Sequence, residues 1–180
     1  LQVGEQVIQA SRFVIATGSS TLIPPIKGLA NIPFYTNETI FNIETLPTHL
    51  IIIGGGPIAC EIGMAFAMLG AKVSLIVRSK ILSKDETDCV AIVRQSMLDK
   101  GINIFEQADT ESLADLNHRT VAVINSKNKK HIITGSHIFI ATGRTPNISE
   151  LNLELAGIDS SAKGITVDDR LRTSNKKIFA

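Results

Sequence analysis

Three consecutive glycines follow a short apolar run, Leu-Ile-Ile-Ile at 50–53, and precede a helix-like apolar stretch. This order predicts a buried strand, a tight turn and a helix. Gly54 permits a sharp turn, Gly56 leaves room for a phosphate against the backbone, and Ala59 stands where a small residue lets the helix pack on the strand. The helix N-terminus directs free N–H groups and its positive dipole end at an anion. The predicted site for a dinucleotide pyrophosphate comprises Gly54, Gly55, Gly56, Pro57, Ile58 and Ala59. A turn without a ligand would leave three entropically costly glycines unexplained.

The end of the next predicted strand, at 73–77, is where a dinucleotide site distinguishes its ligands. An NAD site usually has an acidic residue there that binds the ribose 2′-hydroxyl, but this sequence has Val77 followed by Arg78 and, six residues later, Lys84. Charge-assisted donors suit a 2′-phosphate. We therefore predict NADP as the cofactor, bound through Arg78 and Lys84, with NAD as the alternative. The other possibility is that both are solvent-exposed cations, partly neutralised by Asp85.

Composition and charge limit the class of protein. The chain of 180 residues is 44% hydrophobic and 19% charged, which is typical of a globular domain with a substantial core. No run of about 18 apolar residues is present, so we expect no membrane segment. The formal net charge of +1, from 18 basic and 17 acidic residues, gives no footprint for nucleic acid. These features predict a partner that is neither nucleic acid nor membrane, while the glycine loop predicts a nicotinamide dinucleotide and the two unpaired cysteines indicate a cytoplasmic protein.

The residues that commonly perform catalysis or bind metal are scattered. Cys60 and Cys89 lie on separate predicted helices and form neither a CxxC pair nor a metal-ligand cluster, so we expect both to be reduced and buried. The four histidines, none with a local catalytic partner, are His49, His118, His131 and His137. We therefore predict no metal site and assign no catalytic residue.

The elements around the glycine loop predict an α/β fold, a Rossmann-like three-layer nucleotide-binding domain with a parallel sheet and an antiparallel meander. Two further predicted strands flank this domain as parts of a second domain. Predicted strands lie at 12–16, 73–77, 102–105 and 137–141, helices at 57–69 and 85–100, and the meander at 110–134. Ser83 and Glu86 have the spacing of a capping box before the second helix. The inward face predicted for the first helix comprises Ile58, Ile62, Ala65, Phe66 and Leu69.

Four segments together are similar to a known family. They are Ala-Thr-Gly-Ser at 16–19, Gly-Gly-Gly-Pro-Ile-Ala-Cys-Glu at 54–61, Leu-Gly-Ala-Lys-Val at 69–73 and Ala-Thr-Gly-Arg-Thr-Pro-Asn at 141–147. In this order and spacing they resemble the class I pyridine nucleotide–disulfide oxidoreductases, which are flavin-dependent enzymes. The Val-Arg pair followed by a second base also resembles the NADPH-binding loop of the NADP-linked members.

The resemblance implies a domain plan and an activity for a longer parent protein. Residues 1–35 would be FAD-domain strands and a connector, 36–145 the NAD(P)-binding domain, and 146–180 a return to the FAD domain. The parent would pass a hydride from NADPH to FAD and then electrons to a disulfide or similar acceptor. Family members also carry an FAD-binding glycine motif, a redox cysteine pair and a C-terminal dimerisation domain, so we expect this chain to be a middle piece. Alone it would be inactive, and the parent would be a homodimer.

The resemblance also implies roles for individual residues. Glu61 would pair with a lysine near the flavin and the nicotinamide, although a carboxylate in the first helical turn also suits the helix dipole. Gly143 would lie near the nicotinamide, and Thr17 with Gly18 would flank FAD; each could equally be a strand-ending turn. Pro57 stands where several relatives have a tyrosine that covers the flavin, which puts that gating role in doubt.

Two alternatives from other classes remain open at the level of sequence. One is a stand-alone Rossmann-type module that senses a nucleotide without chemistry, which would not explain the two flanking Ala-Thr-Gly strands. The other is a small NAD(P)-dependent dehydrogenase, which needs an acid–base group such as a Tyr-x-x-x-Lys pair. The only tyrosine is Tyr35, in a proline-rich connector with no such lysine.

Overall fold

The computed structural model describes residues 1–117, 119–126 and 129–180. The chain divides into two compact units, one of Thr21–Gly143 and one that joins Leu1–Ser20 with Arg144–Ala180. His118 is outside the described residues. In the described part, no helix is long and apolar enough to cross a membrane.

Both units are built mainly from strands. The strands are β1 (Gln2–Val3), β2 (Gln6–Val7), β3 (Phe13–Val14), β4 (Ser19–Thr21), β5 (His49–Ile53), β6 (Lys72–Val77), β7 (Asn103–Glu106), β8 (Ala108–Asp115), β9 (Thr120–Ser126), β10 (Lys129–Gly135), β11 (His137–Ile140), β12 (Arg144–Pro146), β13 (Ser160–Ser161), β14 (Gly164–Ile165) and β15 (Ile178–Phe179). The helices are α1 (Pro57–Met68) and α2 (Thr87–Asp99), with short 3₁₀ turns at Leu29–Asn31, Ile40–Asn42 and Leu153–Ala156.

A four-stranded parallel sheet in the order β11-β5-β6-β7 forms the centre of the larger unit. Its two middle strands are almost entirely buried, which explains their continuous apolar sequences, since parallel strands are covered on both faces. The helix between β5 and β6 contacts both of these strands. The structure thus confirms the predicted α/β class and the parallel sheet, and it moves the predicted strand ends by one residue.

Helix α1 buries part of the predicted face, since Phe66 is buried and Ile58 and Ile62 pack against the core. Its buried residues are Ala59, Cys60, Gly63 and Phe66. Ala65 and Leu69 of the predicted stripe are exposed, while Ile58 and Ile62 are half-buried. A Cβ at Gly63 would lie 3.1 Å from Leu75 Cδ1, so small residues allow the helix to approach the sheet closely. The periodicity placed Ala65 and Leu69 wrongly because nearly every position of this helix is apolar, and side-chain size decides which residues pack.

Helix α2 packs through Met97, which is fully buried, with Val90 and Val93 half-buried as predicted. The capping box is wrong: Glu86 is the N-cap residue, its backbone is extended, and no side chain caps this end. Cys89 is exposed, not buried, because it lies outside the face that packs.

The predicted antiparallel meander is confirmed as a three-stranded sheet in the order β10-β9-β8. Strand β9 alternates buried and half-buried residues, with Ala122 and Ile124 fully buried. A bulge between Thr110 and Ser112 shifts the register of β8. This sheet and the 3₁₀ turn at Leu29 enclose a second apolar cluster together with the parallel sheet.

The smaller unit contains short strand pairs. Strand β3 pairs in parallel with β15, and β13 pairs antiparallel with β14. The segment predicted as a buried strand at 12–16 is a two-residue strand in which Val14 is 73% exposed. The prediction of burial is therefore wrong for Val14, whose strand pairs with the two-residue strand β15.

Candidate functional site

The glycine loop connects β5 to α1, and its first glycine is required by the backbone. Gly54 has φ +135°, and a Cβ on it would lie 2.1 Å from the Ala141 carbonyl oxygen. Its N–H donates to the Ile76 carbonyl at 2.9 Å. Gly54 therefore turns the chain between the ends of β6 and β11, as a sharp turn after a central strand requires.

The second glycine joins this loop to the segment after β6. A Cβ on Gly55 would lie 2.4 Å from Val77 Cγ1. The Gly55 carbonyl accepts a 2.7 Å hydrogen bond from the Leu82 N–H. The glycine loop and the segment that begins at Arg78 are thus fixed to each other.

The third glycine differs because open space lies beside it. Gly56 has φ −79° and ψ −179°, and no atom lies within 4 Å of a Cβ built on it. It is the N-cap of α1, with Pro57 at the first helical position and no side chain capping the helix. Neither strain nor packing explains a glycine here, whereas an anion held against the backbone does. The loop therefore fits the pyrophosphate of a dinucleotide.

A cleft of about 770 Å³ lies in front of the glycine loop, at the carboxyl ends of the parallel strands. Its lining comes from segments 22–26, 53–57, 76–80, 82–85, 108–110 and 141–143, all in the larger unit. Ligands of open parallel sheets bind at this edge. The predicted residues Gly54, Gly55, Gly56, Pro57, Arg78, Lys84 and Gly143 all line the cleft.

Charges of both signs line one end of the cleft. Arg78, Lys80 and Lys84 supply three cations, and Asp85 and Asp109 supply two carboxylates. Within the described residues, none of the three cations takes part in a salt bridge. Val77, where an acidic residue would hold a ribose diol, is buried against the glycine loop. This end of the cleft can therefore offer cationic donors to a phosphate.

The segment that carries these cations is held by contacts that the sequence did not indicate. The Ile81 N–H donates to Glu106 Oε1 at 3.0 Å, and Arg94 Nη2 donates to Glu106 Oε2 at 3.0 Å. The Gln107 N–H also donates to the Ser79 carbonyl at 2.9 Å. The available signal was a carboxylate, Glu106, at the end of a predicted parallel strand beside β6.

Three predicted residues of the helix do not line the cleft. Ala59 is completely buried in the core beneath α1's own backbone, where the helix packs on the sheet, and Ile58 is half-buried. Glu61 is exposed and lies past the first turn of α1, which has no acidic residue. The first-turn position predicted for Glu61 is wrong, because the helix begins at Pro57 and Glu61 is its fifth residue.

Thr17 and Gly18 belong to the smaller unit, where both bond to one residue. Thr17 Oγ1 donates to the Asn147 carbonyl at 2.7 Å, Asn147 Nδ2 donates to the Thr17 carbonyl at 3.1 Å, and the Asn147 N–H donates to the Gly18 carbonyl at 3.0 Å. These polar groups are satisfied within the protein. These contacts hold the turn at Thr17 and Gly18 to the segment that carries Asn147.

The opposite, amino edge of the parallel sheet carries polar side chains that form hydrogen bonds within the protein. His49 Nε2 and Ser74 Oγ are 2.9 Å apart, as are His137 Nδ1 and Ser136 Oγ. Ser136 Oγ also donates to the His49 carbonyl at 3.2 Å. Burial lowers the pKa of both histidines below their ordinary value of 6.5, and for His49 the charge of Lys72 adds to the effect.

The two free cysteines differ in exposure, Cys60 being buried and Cys89 exposed. Burial raises the pKa of the Cys60 thiol to about 11, with smaller contributions from Glu61 and Asp85, so this thiol is protonated at neutral pH. In the described part of the chain, no group of three or more histidine, cysteine or carboxylate side chains could hold a metal ion.

A parallel sheet with a glycine loop at its carboxyl edge and an adjoining antiparallel meander defines a dinucleotide-binding type of α/β domain. The family model described as pyridine nucleotide-disulphide oxidoreductase matches residues 1–180. The chain belongs to this family.

Curated relatives and solved structures agree with this assignment. The chain is 34% identical over 182 residues to the mercuric reductase of Bacillus cereus, covering 100% of this chain and 29% of that protein. It is 32% identical over 178 residues to the mercuric reductase of Streptomyces lividans, covering 98% of this chain and 38% of that protein. The HOCl-induced flavoprotein disulfide reductase RclA from Escherichia coli superposes with a TM-score of 0.86 at 30% identity, over 96% of this chain and 40% of that one. The chain thus spans about a third of the length of these relatives.

Proposed function

We propose that this chain is the NADPH-binding part of a flavin-dependent oxidoreductase. In this proposal, the loop from Gly54 to Pro57 and the first turn of α1 bind the pyrophosphate, and Arg78 with Lys84 binds the 2′-phosphate. Gly143, on the far side of the cleft, borders the nicotinamide end. The nucleotide site of this proposal is the cleft formed by residues 21–143. We keep residues 36–145, predicted from the sequence, as the proposed NAD(P)-binding domain.

One observation carries the dinucleotide site: open space beside Gly56 at an uncapped helix N-terminus in the cleft. Of the three glycines, Gly54 and Gly55 are explained by contacts within the protein, and Gly56 is not. A phosphate against the Gly56 backbone would occupy this space and accept hydrogen bonds from the helix N–H groups.

The cations at the other end of the cleft support NADP over NAD. Arg78 is exposed, lines the cleft and is in no salt bridge among the described residues, so its guanidinium is available. A guanidinium presents paired donors that match a phosphate. Val77 provides no carboxylate to hold a ribose diol or to repel a phosphate.

Family membership and the named relatives support the activity that we propose for the longer protein. NADPH supplies a hydride when bound, and we propose FAD as its acceptor and a disulfide or similar group as the final one. The residues of this chain bind and orient the nucleotide. We propose no residue of this chain as catalytic, and we place the longer protein in the cytoplasm as a homodimer.

The proposal is tested by titrating the variant Arg78→Ala with NADPH and with NADH in a calorimeter. One charge-assisted contact contributes about 1.5–3 kcal/mol, so the NADPH affinity should fall roughly ten- to a hundredfold. The NADH affinity should hardly change, since NADH lacks the 2′-phosphate. The matched control is Arg119→Ala, which removes an exposed arginine outside the cleft and should leave both affinities unchanged. The NADP assignment would be overturned if the wild type bound NADH more tightly than NADPH and if Arg78→Ala left both affinities unchanged.

A further inference from the structure

We propose that Glu106 is a positioning residue that sets the preference for NADPH by holding the cation-bearing segment Arg78–Asp85 in place. This inference rests on the proposed function, because it concerns the same cleft. Glu106 is not among the residues that line the cleft and would not touch the nucleotide.

Glu106 is the central connection of this segment to the rest of the domain. It ends β7, the strand paired with β6, so its side chain lies beside the point where the segment leaves the sheet. Its Oε1 accepts the Ile81 N–H at 3.0 Å. Its Oε2 accepts from Arg94 of α2 at 3.0 Å, and the carboxylate is only 20% exposed. The Glu106 carboxylate thus connects strand β7, helix α2 and the middle of the segment Arg78–Asp85.

The position of Ile81 makes this connection relevant to binding. Its side chain is buried in the core, and it lies between Lys80 and Leu82, both of which line the cleft. Leu82 has φ +47° and donates its N–H to the Gly55 carbonyl at 2.7 Å. A change at Ile81 would therefore alter the position of the flanking cations, whereas the glycine loop keeps its own hydrogen bond from the Gly54 N–H to the Ile76 carbonyl at 2.9 Å.

A segment that is only partly in the binding-competent arrangement binds more weakly in proportion to the competent fraction. The cations at 78, 80 and 84 interact only with the 2′-phosphate in the proposed complex. Loosening the segment should therefore weaken NADPH binding and leave NADH binding nearly unchanged. Removing a structural residue with no role in specificity would instead weaken both nucleotides equally.

The test uses four variants. For each variant, calorimetry measures the binding of NADPH and NADH, and hydrogen exchange is measured at the Ile81 and Leu82 amides. Glu106→Leu removes both contacts, and the double variant Arg94→Met with Glu106→Leu does so without leaving an unpaired guanidinium. Glu106→Gln keeps an oxygen that can accept from Ile81. The matched control is Glu111→Leu, which also loses a carboxylate with one 3.0 Å salt bridge, to Lys130 on the meander.

We expect both leucine variants at 106 to raise the NADPH Kd about tenfold and the NADH Kd less than about twofold. Both should also speed exchange at the Ile81 amide. Glu106→Gln should stay within about threefold of the wild type, and Glu111→Leu should match the wild type. Equal weakening of both nucleotides, or no weakening, would overturn the role of Glu106 while the wild type still binds. Binding of neither nucleotide by the wild type would overturn the proposed function itself, and this role with it.

Discussion

The two edges of the parallel sheet satisfy their polar groups in different ways. At the amino edge, His49, Ser74, Ser136 and His137 form hydrogen bonds with one another or with the backbone. At the carboxyl edge, the backbone at Gly56 faces open space, and the cations beside it have no salt-bridge partner among the described residues.

This difference shows how one sheet can satisfy its polar groups within the protein at one edge and leave polar groups available to a ligand at the other. Buried polar groups need partners, and at the amino edge neighbouring side chains supply them. At the carboxyl edge, a helix N-terminus points into a cleft where an external anion can supply them. Gly63 within α1 and Gly56 at its N-cap follow the same contrast. Gly63 is needed by the packing of the protein, and Gly56 is needed by the proposed ligand.

The largest effect is expected from filling the open space. The variant Gly56→Val should fold normally, because the backbone is extended there and no atom lies within 4 Å of its Cβ. It should weaken NADPH and NADH at least about a hundredfold, since the side chain would occupy the pyrophosphate space. Calorimetry and thermal unfolding measure the two properties separately. Retained binding would show that Gly56 does not contact the ligand.

The same substitution at Gly63 should give the opposite pattern. The helix lies so close to the sheet that an added Cβ is 3.1 Å from Leu75 Cδ1 and 3.4 Å from Ile52 Cδ1. Gly63→Val should lower the free energy of unfolding by about 1–3 kcal/mol through overpacking. The protein that remains folded should bind NADPH with a wild-type Kd. Urea denaturation tests the first statement, and a loss of affinity at full folding would contradict the second.

A smaller effect is expected from pH at the amino edge. His49 and His137 have lowered pKa values in the folded protein, so unfolding takes up protons below about 6.5. Stability should be complete above pH 6.5 and should fall as the pH drops below that value. Denaturant titrations at pH 7.5 and 5.5 measure this decline, which His49→Gln should reduce. The exposed His131, changed to Gln, is the control. A pH-independent stability would show that these histidines titrate normally.

The sequence predicted those features that depend on neighbouring residues. The strand, the glycine turn and the helix from 50 to 68 follow from a continuous apolar run, three glycines and Pro57. Contacts between distant residues were not accessible in this way. Glu106 reaches Ile81 across 25 positions, and the turn at Gly54 packs against Ala141. Ala65 and Leu69 were placed wrongly on the buried face of α1 because the helix is apolar at nearly every position, and its packing on the sheet selects Ala59 and Gly63 instead.

The most direct test of the central claim compares the two edges in one experiment. NADPH is added to the ¹⁵N-labelled protein, and the amide shifts of both edges are followed by NMR. The account predicts large shifts for the amides of Gly54, Gly55, Gly56 and Ile58 and of the Arg78–Lys84 segment, with those of His49, Ser74, Ser136 and His137 unchanged. Shifts confined to the amino edge, or no shift at either edge with millimolar NADPH, would contradict it.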